Sequence, residues 1–313
     1  MNTNCFSTAY KDRIVPKDFI FRRLQSLSGV AFTLFLCEHL LTNSLSPLFV
    51  KEGNFFVRIV NKFHQIPCLG FIEVFLLACP FIFHALLGIK YVLSAKFCSF
   101  PKGNEQPYLN YERNHAFFLQ RSSAWILLIG VLIHVIHMRF MEYPRHIVYD
   151  NNQYYITVIK NSSHLQEFAK KNQFILIYPN EKNNSFLDFS STRSIKNVSE
   201  FLKISLISDL IKKQSTKNKV IAVQKEPGKV FLLVLWNTFS SYMMCFLYSI
   251  LVLVSVYHGC NGVWLFMMRW GFIKKEETQK LVLKLVFIMM GLLSLLGLFA
   301  VWGMFWSVIY YNG

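Results

Sequence analysis

Long runs of apolar residues, interrupted by short polar segments, are the dominant pattern along this chain. A helix that crosses a membrane needs about 20 largely apolar residues. Five stretches meet this length, at residues 19–46, 68–94, 116–140, 230–266 and 279–309. The pattern therefore predicts an all-α membrane protein with five transmembrane helices.

The third polar connection differs from the others because it is long. Residues 141–229 are rich in Lys and Asn and contain a short apolar run, QFILIYP, and an amphipathic stretch, VSEFLKISLISDLIKK. We expect a small folded cap of a strand or two and a helix, although about 90 residues is near the low end of what buries a core alone. The favoured interpretation is an insertion without chemistry of its own. It separates residues 1–140 from residues 230–313.

Composition excludes a soluble globular protein, because 53% of the 313 residues are hydrophobic and the mean hydropathy is +0.35. The seven cysteines form neither a C-x-x-C pair nor a C-x-x-C-H sequence. The sequence therefore indicates neither a zinc site nor covalently attached haem. Basic residues precede the first apolar stretch, but it is longer than the apolar region of a signal peptide, about 7–15 residues, and we expect it to be retained.

The net charge is +16, and basic residues mark three short segments, around residues 11–23, 96–121 and 269–280. Short connections rich in Lys and Arg face the cytoplasm, whereas long connections are translocated largely regardless of charge. We therefore predict a multi-pass protein of the cytoplasmic membrane, with its N-terminus inside and both the insertion and the C-terminus outside. The charge is assigned to the membrane rather than to a nucleic-acid partner.

Four of the nine histidines lie deep in the predicted spans, one on each of the first four helices: His39, His84, His134 and His258. At 1.5 Å per residue, His39 lies roughly 30 Å beyond the inner entry of its helix, and His84 lies roughly 24 Å from the outer start of the next helix. His39 and His134 are therefore expected near the outer side, and His84 and His258 near the inner side.

Two such pairs are what two stacked haems in a four-helix bundle require. Neutral imidazoles are suitable axial ligands for haem iron, and a bundle can present them from facing helices. The first four helices are therefore predicted to form a haem-binding bundle, with His137 as a competitor of His134. Gly29 is expected level with the inner pair, where a haem plane needs a close backbone. For any single membrane histidine, an interhelical hydrogen bond is the alternative.

The predicted helices carry four sets of motifs: FRRLQSLSGV followed by EHLLTN, EVFLLACPFIFHALLG, LQRSSAWILLIGVLIHV, and YHGCNGVWLFMMRWG. Together they resemble the five-helix, two-haem cytochrome b subunit of succinate dehydrogenase and fumarate reductase. The resemblance covers all five helices in order. It does not cover the insertion, because that family usually has a much shorter connection there.

The resemblance implies two haem b groups. The proximal, inner haem would be held by His84 and His258, and the distal, outer haem by His39 and His134, which repeats the pairing inferred from depth. A glutamate that some members carry two residues before the fourth ligand is Val256 here. Any proton route through that glutamate is therefore in doubt for this chain.

The resemblance also implies that Gln25, Ser26 and Arg269 bind haem propionates, because these positions do so in some members. Arg121 is a further candidate from its charge and its level. The ordinary basic belt of a membrane protein is the alternative for each arginine. Glu73, about 16 Å further out than the second-helix histidine, is a candidate for proton exchange at a quinone site. A polar contact at the membrane border is the alternative there.

The implied function is that of a membrane anchor and electron conduit of a quinone-linked succinate dehydrogenase. Electrons would pass from an iron–sulfur subunit docked on the cytoplasmic face to a membrane quinone, and a separate flavoprotein subunit would carry the succinate chemistry. The alternatives are a fumarate reductase running in the opposite direction, a haem subunit of another quinone-linked oxidoreductase, and a haem-free anchor or transporter. Transport is disfavoured because the sequence has no inverted repeat.

Overall fold

The computed structural model describes residues 16–94, 112–162, 164–179, 185–189, 198–214 and 218–311. Within this part of the chain, five helices are long and apolar enough to cross a membrane. We call them spans 1 to 5, and they cover Lys17–Asn43, Leu69–Leu93, His115–Met141, Tyr242–Arg269 and Glu276–Ile309. The five predicted spans thus correspond to five observed helices in the same order.

Span 4 is shorter than the apolar run that predicted it. The run from residue 230 is divided near Phe239, where a separate helix, Pro227–Thr238, ends, and span 4 begins at Tyr242. Residues 232–236 of the separate helix are all buried. A helix that is apolar on every side is either a membrane span or a core helix. Hydropathy alone does not distinguish the two, which explains the error.

Span 4 is the centre of the helical bundle and packs against spans 1, 3 and 5, whereas span 2 packs on span 1. Small residues allow these close approaches. A Cβ atom at Gly297 of span 5 would lie 2.5 Å from Cγ1 of Val252 in span 4. Between spans 1 and 4, the hydroxyl of Thr33 donates a 3.3 Å hydrogen bond to the carbonyl of Gly259. Spans 1 to 4 therefore form the arrangement that a four-helix site requires, with span 5 packed outside spans 1 and 4.

The insertion folds around a five-stranded antiparallel sheet of order β1-β2-β5-β3-β4. The strands are β1 Arg145–Tyr149, β2 Asn152–Lys160, β3 Ile175–Tyr178, β4 Ser185–Asp188 and β5 Lys219–Gln224. The expectation of a strand or two was therefore too low. The sequence signal that was missed is the Asp150-Asn151 pair between β1 and β2. In the structure both residues have positive φ, 48° and 59°. Such a pair is typical of a two-residue hairpin.

Helices cover both faces of this sheet. Three of them lie within the insertion, at Leu165–Lys171, Val198–Leu202 and Ser205–Gln214. On one face, Tyr154 and Ile156 of β2 pack with Phe201 and Ile207 in a separate core. The core on the other face is continuous with that of the bundle, and the ring of Phe168 stacks on Trp236 with centroids 5.3 Å apart. The insertion is thus packed onto the helices rather than suspended from them.

A short amphipathic helix, Asn54–His64, completes this junction and was absent from the prediction. Its apolar side, which includes Phe56 and Val60, is buried. Asn61 accepts a 2.8 Å hydrogen bond from the backbone N–H of Gly228 and donates a 3.1 Å bond to Glu226. It therefore caps the start of the helix Pro227–Thr238, which leads into span 4.

The two ends of the bundle differ in composition. We call the end that carries the insertion the sheet end, and the opposite end the basic end. Described cations at the basic end include Lys17, Arg22, Arg23, Lys90, Arg121, Arg269, Lys274, Lys275 and Lys280. Residues 1–15 and 95–111, which carry part of the predicted basic segments, lie outside the described residues.

Candidate haem-binding sites and an adjoining cavity

His84 of span 2 and His258 of span 4 both lie toward the basic end, and both imidazoles are half-buried. We call them the basic-end pair. Gly29 of span 1 lies at the same level, because a Cβ atom there would be 3.1 Å from Cε1 of His84. This position agrees with the depth predicted for Gly29 and brings three of the first four helices together around the pair.

Span 1 sets the orientation of the His84 ring. Its Nδ1 lies 3.0 Å from the carbonyl oxygen of Gln25 and 3.1 Å from Oγ of Ser28. A carbonyl oxygen only accepts hydrogen bonds, so Nδ1 carries the proton and Nε2 is unprotonated. In metal-binding histidines a partner on one ring nitrogen fixes the tautomer in this way and leaves the other nitrogen for the metal.

Span 3 does the same for His258. Its Nδ1 lies 3.0 Å from Oγ of Ser123, and the Ser123 hydroxyl donates its single proton to the carbonyl of Gln120, 3.1 Å away. When the proton is placed in this way, Ser123 accepts from Nδ1–H of His258, which leaves Nε2 without a proton. Gln120 also donates a 3.0 Å bond to the His258 carbonyl and accepts a 2.7 Å bond from Asn261. A polar network thus ties spans 3 and 4 together at this level.

His39 of span 1 and His134 of span 3 form the second pair, toward the sheet end. Their ring centroids are 6.1 Å apart, with the ring planes at 81°. An imidazole nitrogen lies about 2 Å from a bound metal and the ring centre about 1 Å further, so two imidazoles across one metal have centroids about 6 Å apart. The observed spacing is close to that value, and it is also an ordinary spacing for an edge-to-face ring contact.

The hydroxyl of Tyr248 in span 4 lies between His134 and its competitor His137. It is 3.4 Å from Nδ1 of His134 and 3.0 Å from Nδ1 of His137. Of the two imidazoles, that of His134 contacts the ring of His39. The geometry thus supports His134 as the partner of His39, and it gives His137 a hydrogen bond with Tyr248.

The predicted propionate-binding residues lie at the basic end, but at different depths. Gln25 and Ser26 are half-buried in span 1, and Gln25 is the residue whose carbonyl contacts His84. Arg121 and Arg269 are exposed. The carbonyl of Arg269 accepts a 2.8 Å hydrogen bond from Nη1 of Arg23. The structure therefore brings Gln25 next to the basic-end pair and leaves both arginines near the surface.

Glu73 lies in a cavity at the sheet end, where spans 2 and 3 meet the insertion. The cavity has a volume of ≈ 240 Å³. Glu73 forms a 2.7 Å ion pair with Arg139 of span 3, whose guanidinium lies 4.0 Å from the ring centre of Tyr143. Both spans contain a π-helical segment here, at Val74–Ala78 and Ile136–Met141, and such segments are frequent at functional sites.

Sequence reasoning missed the residues that surround the histidines and Glu73. Ser28, Ser123 and Tyr248 each place a hydroxyl inside an otherwise apolar span, and Arg139 places a charge near the end of one. A polar group in an apolar span is the signal that could have found them. Within the described residues, no three His, Cys, Asp or Glu side chains converge as a metal cluster.

These features define a multi-pass membrane protein with two pairs of histidines between its helices. Residues 13–109 match the family model described as Succinate dehydrogenase/Fumarate reductase transmembrane subunit. This region contains spans 1 and 2, with His39, Glu73 and His84. Spans 3 to 5 and the insertion lie outside the match.

The chain is also 32% identical over 120 residues to the succinate dehydrogenase cytochrome b558 subunit of Bacillus subtilis (strain 168). The alignment covers 38% of this chain and 54% of the relative, so the chain spans about half the length of the curated relative it matches. Together, the two comparisons confirm the resemblance to the cytochrome b membrane-anchor subunit that the motifs predicted.

Proposed function

We propose that this chain is the dihaem cytochrome b membrane-anchor subunit of a succinate dehydrogenase, which passes electrons from an iron–sulfur subunit to a membrane quinone. The observation that carries the proposal is the position of four histidines at two levels of the bundle, with His39 in contact with His134 toward one end and His84 and His258 toward the other. The family match and the name of the Bacillus relative support haem b as the group that the pairs bind.

In the proposal, His84 and His258 hold the proximal haem near the basic end, and bound haem b supplies one-electron transfer. Two contacts support this assignment: the Nδ1 atoms of both rings are held by groups from spans 1 and 3, which leaves the Nε2 side of each ring for the iron. Gln25, Ser26, Arg121 and Arg269 are the proposed propionate-binding residues, because they are the polar and cationic groups at that end.

His39 and His134 hold the distal haem near the sheet end. The 6.1 Å spacing of their ring centroids supports this pairing. The hydroxyl of Tyr248 stabilises the ring of His134 through Nδ1, and it also contacts Nδ1 of His137. Two haems at these levels would provide a path for electrons along the bundle from the basic end toward the cavity that contains Glu73.

The quinone is reduced in that cavity. Reduction of a quinone to the quinol takes two electrons and two protons. Bound haems would supply these electrons one at a time, and Glu73 exchanges protons between the quinone oxygens and water at the cavity mouth. Arg139 donates to Glu73 and is within reach of the same oxygens. The ion pair between Glu73 and Arg139 is the observation that supports placing a polar reaction site at this edge of the apolar bundle.

The partners are the flavoprotein and iron–sulfur subunits of the same complex, docked on the basic end. The positive charge of that end supports a cytoplasmic orientation, because short basic connections remain inside. The N-terminus is then cytoplasmic, and the insertion and the C-terminus are extracytoplasmic, in the cytoplasmic membrane.

The test is a reduced-minus-oxidised spectrum of the purified chain with a pyridine haemochrome assay, normalised to protein. We expect two b-type haems per chain. A chain without haem, purified from haem-replete membranes, would contradict the electron-conduit mechanism and leave a haem-free anchor. In the assembled complex, the rates of succinate-driven quinone reduction and quinol-driven fumarate reduction distinguish a succinate dehydrogenase from a fumarate reductase.

A further inference from the structure

The cavity at the sheet end is built from more than the membrane helices. Glu73 and Arg139 come from spans 2 and 3, whereas Phe231 comes from the helix that precedes span 4. His146 and Tyr155 come from strands β1 and β2 of the insertion. The sheet is therefore a wall of the cavity in which the proposed function places quinone reduction.

The register of the hairpin explains how two insertion side chains reach this wall. His146 and Tyr155 are directly opposite each other in the β1–β2 pair, so their side chains lie on the same face of the sheet. Tyr154, one residue earlier, points to the opposite face and is fully buried in the separate core of the insertion. Folding of that core thus fixes which way Tyr155 points.

Tyr155 lies between two imidazoles. Its ring centroid is 5.3 Å from that of His146 and 5.9 Å from that of His64 in the helix Asn54–His64. Nδ1 of His64 lies 3.0 Å from the carbonyl oxygen of Val60. Nδ1 of His64 is therefore the donor, and Nε2 is left as an acceptor. Burial and the neighbouring Tyr143 raise the pKa of Tyr155, so the phenol keeps its proton.

The cavity consequently combines a phenol donor and an imidazole acceptor with the Glu73–Arg139 ion pair and aromatic walls. The ring centroids of Tyr143 and Phe231 are 5.2 Å apart. Small-molecule sites are mostly apolar with a few polar groups and usually have volumes of about 300–1,000 Å³. The smaller volume here, ≈ 240 Å³, suits a single ring system whose tail stays outside, which is the shape of a lipid quinone.

We infer that the insertion is part of the quinone site and that Tyr155 is a quinone-binding residue, whose hydroxyl donates a hydrogen bond to one quinone oxygen. The inference rests on the proposed function. Tyr155 keeps its proton throughout, so the two protons of quinol formation still come from water through Glu73. His64 and His146 hold the phenol ring in place.

The test uses the assembled membrane complex carrying Tyr155→Phe, with Tyr178→Phe as the matched control. Tyr178 is a tyrosine of the same sheet whose hydroxyl accepts a bond from Gln166 and which does not line the cavity. For decylubiquinone and for menadione, we expect Tyr155→Phe to raise the KM about 3- to 10-fold, as the loss of one hydrogen bond implies. Haem content and succinate-driven reduction of a soluble dye should stay at the wild-type level.

Tyr155→Leu and His146→Ala extend the test and should raise the KM further. If Tyr155→Phe and Tyr155→Leu both leave the KM unchanged while Glu73→Gln lowers quinone reduction, the inference about the insertion is wrong and the proposed site stands. A complex that contains no haem, or that does not reduce either quinone, contradicts the proposed function itself. Should Tyr155→Leu fail to assemble, the Phe variant decides, because it removes only the hydroxyl.

Discussion

The two histidine pairs are held in place by different means. At the basic end, the Nδ1 atoms of His84 and His258 are each fixed by a neighbouring helix, through the carbonyl of Gln25 and the hydroxyl of Ser123. The carbonyl of Gln25 only accepts, so it fixes the tautomer of His84, and the contact with Ser123 orients the ring of His258. The basic-end pair is therefore preorganised for a metal.

At the sheet end, one phenol serves two rings. Tyr248 contacts both His134 and His137. Among the described residues, the ring of His39 has aromatic neighbours, Phe35 and His134, rather than a hydroxyl. A tyrosine hydroxyl has a single proton and rotates, so it does not fix one tautomer of His134. Two pairs of the same side chains are thus held to different degrees, and we expect the two sites to respond differently to mutation.

Replacing a proposed haem ligand should have the largest effect, and each replacement should affect one site and leave the other unchanged. His84→Ala or His258→Ala removes one of the two proposed axial ligands near the basic end, and we expect the proximal haem to be lost while the distal one remains. His39→Ala or His134→Ala should do the reverse. Haem-to-protein ratios combined with EPR of the remaining low-spin haem measure both outcomes.

His137→Ala is the control for His134→Ala, because it removes a neighbouring imidazole on the same helix. Both haems should remain. Loss of a haem in His137→Ala, with both retained in His134→Ala, would exchange the roles of these two residues.

Sequence alone could predict those features that each helix determines by itself, without its neighbours. The spans followed from hydropathy, and the two levels of the four histidines followed from a constant rise per residue. The helix Pro227–Thr238 was assigned to span 4 because its burial against the insertion depends on tertiary packing. The sheet was underestimated because its short strands carry little periodic signal.

The surroundings of the sites could not be predicted, for a related reason. Ser123 meets His258 across 135 positions of sequence, and Arg139 meets Glu73 across 66. Such contacts depend on the rotation of two helices about their axes, which the amino-acid pattern of either helix leaves open. Tyr155 adds the register of a hairpin to this requirement.

The next largest effect is expected at the groups that hold the rings. Ser123→Ala removes the acceptor for Nδ1–H of His258, and losses of this kind lower metal affinity about 10- to 100-fold. Ser28→Ala should cost less, because the carbonyl of Gln25 still accepts from His84. Haem retention during detergent dilution measures the difference, and Ser122→Ala, an exposed neighbour in span 3, is the control. Equal retention in all three variants would argue against preorganisation of the basic-end pair.

Tyr248→Phe should have a smaller effect, confined to the sheet end. The ring and its packing remain, but the hydroxyl that contacts His134 and His137 is lost. We expect both haems to be retained, with a shift in the midpoint potential of the distal haem, because hydrogen bonding to an axial histidine tunes the metal. Redox titration of the two haems separates the sites. A shift of the proximal haem alone would show that Tyr248 does not act on the pair to which we assign it.

The smallest effect should come from one methyl group beside His84. Gly29→Ala would place a Cβ atom 3.1 Å from Cε1 of that ring, so the imidazole must move by a few tenths of an ångström against the carbonyl of Gln25. Gly291→Ala in span 5 is the matched control, because no atom lies within 4 Å of a Cβ there. Alanine is a better helix former than glycine by about 1 kcal/mol, so neither variant should weaken its helix. We expect a changed EPR signal of the proximal haem in Gly29→Ala and wild-type spectra in Gly291→Ala. A change in the distal haem instead would place Gly29 at the wrong level of the bundle.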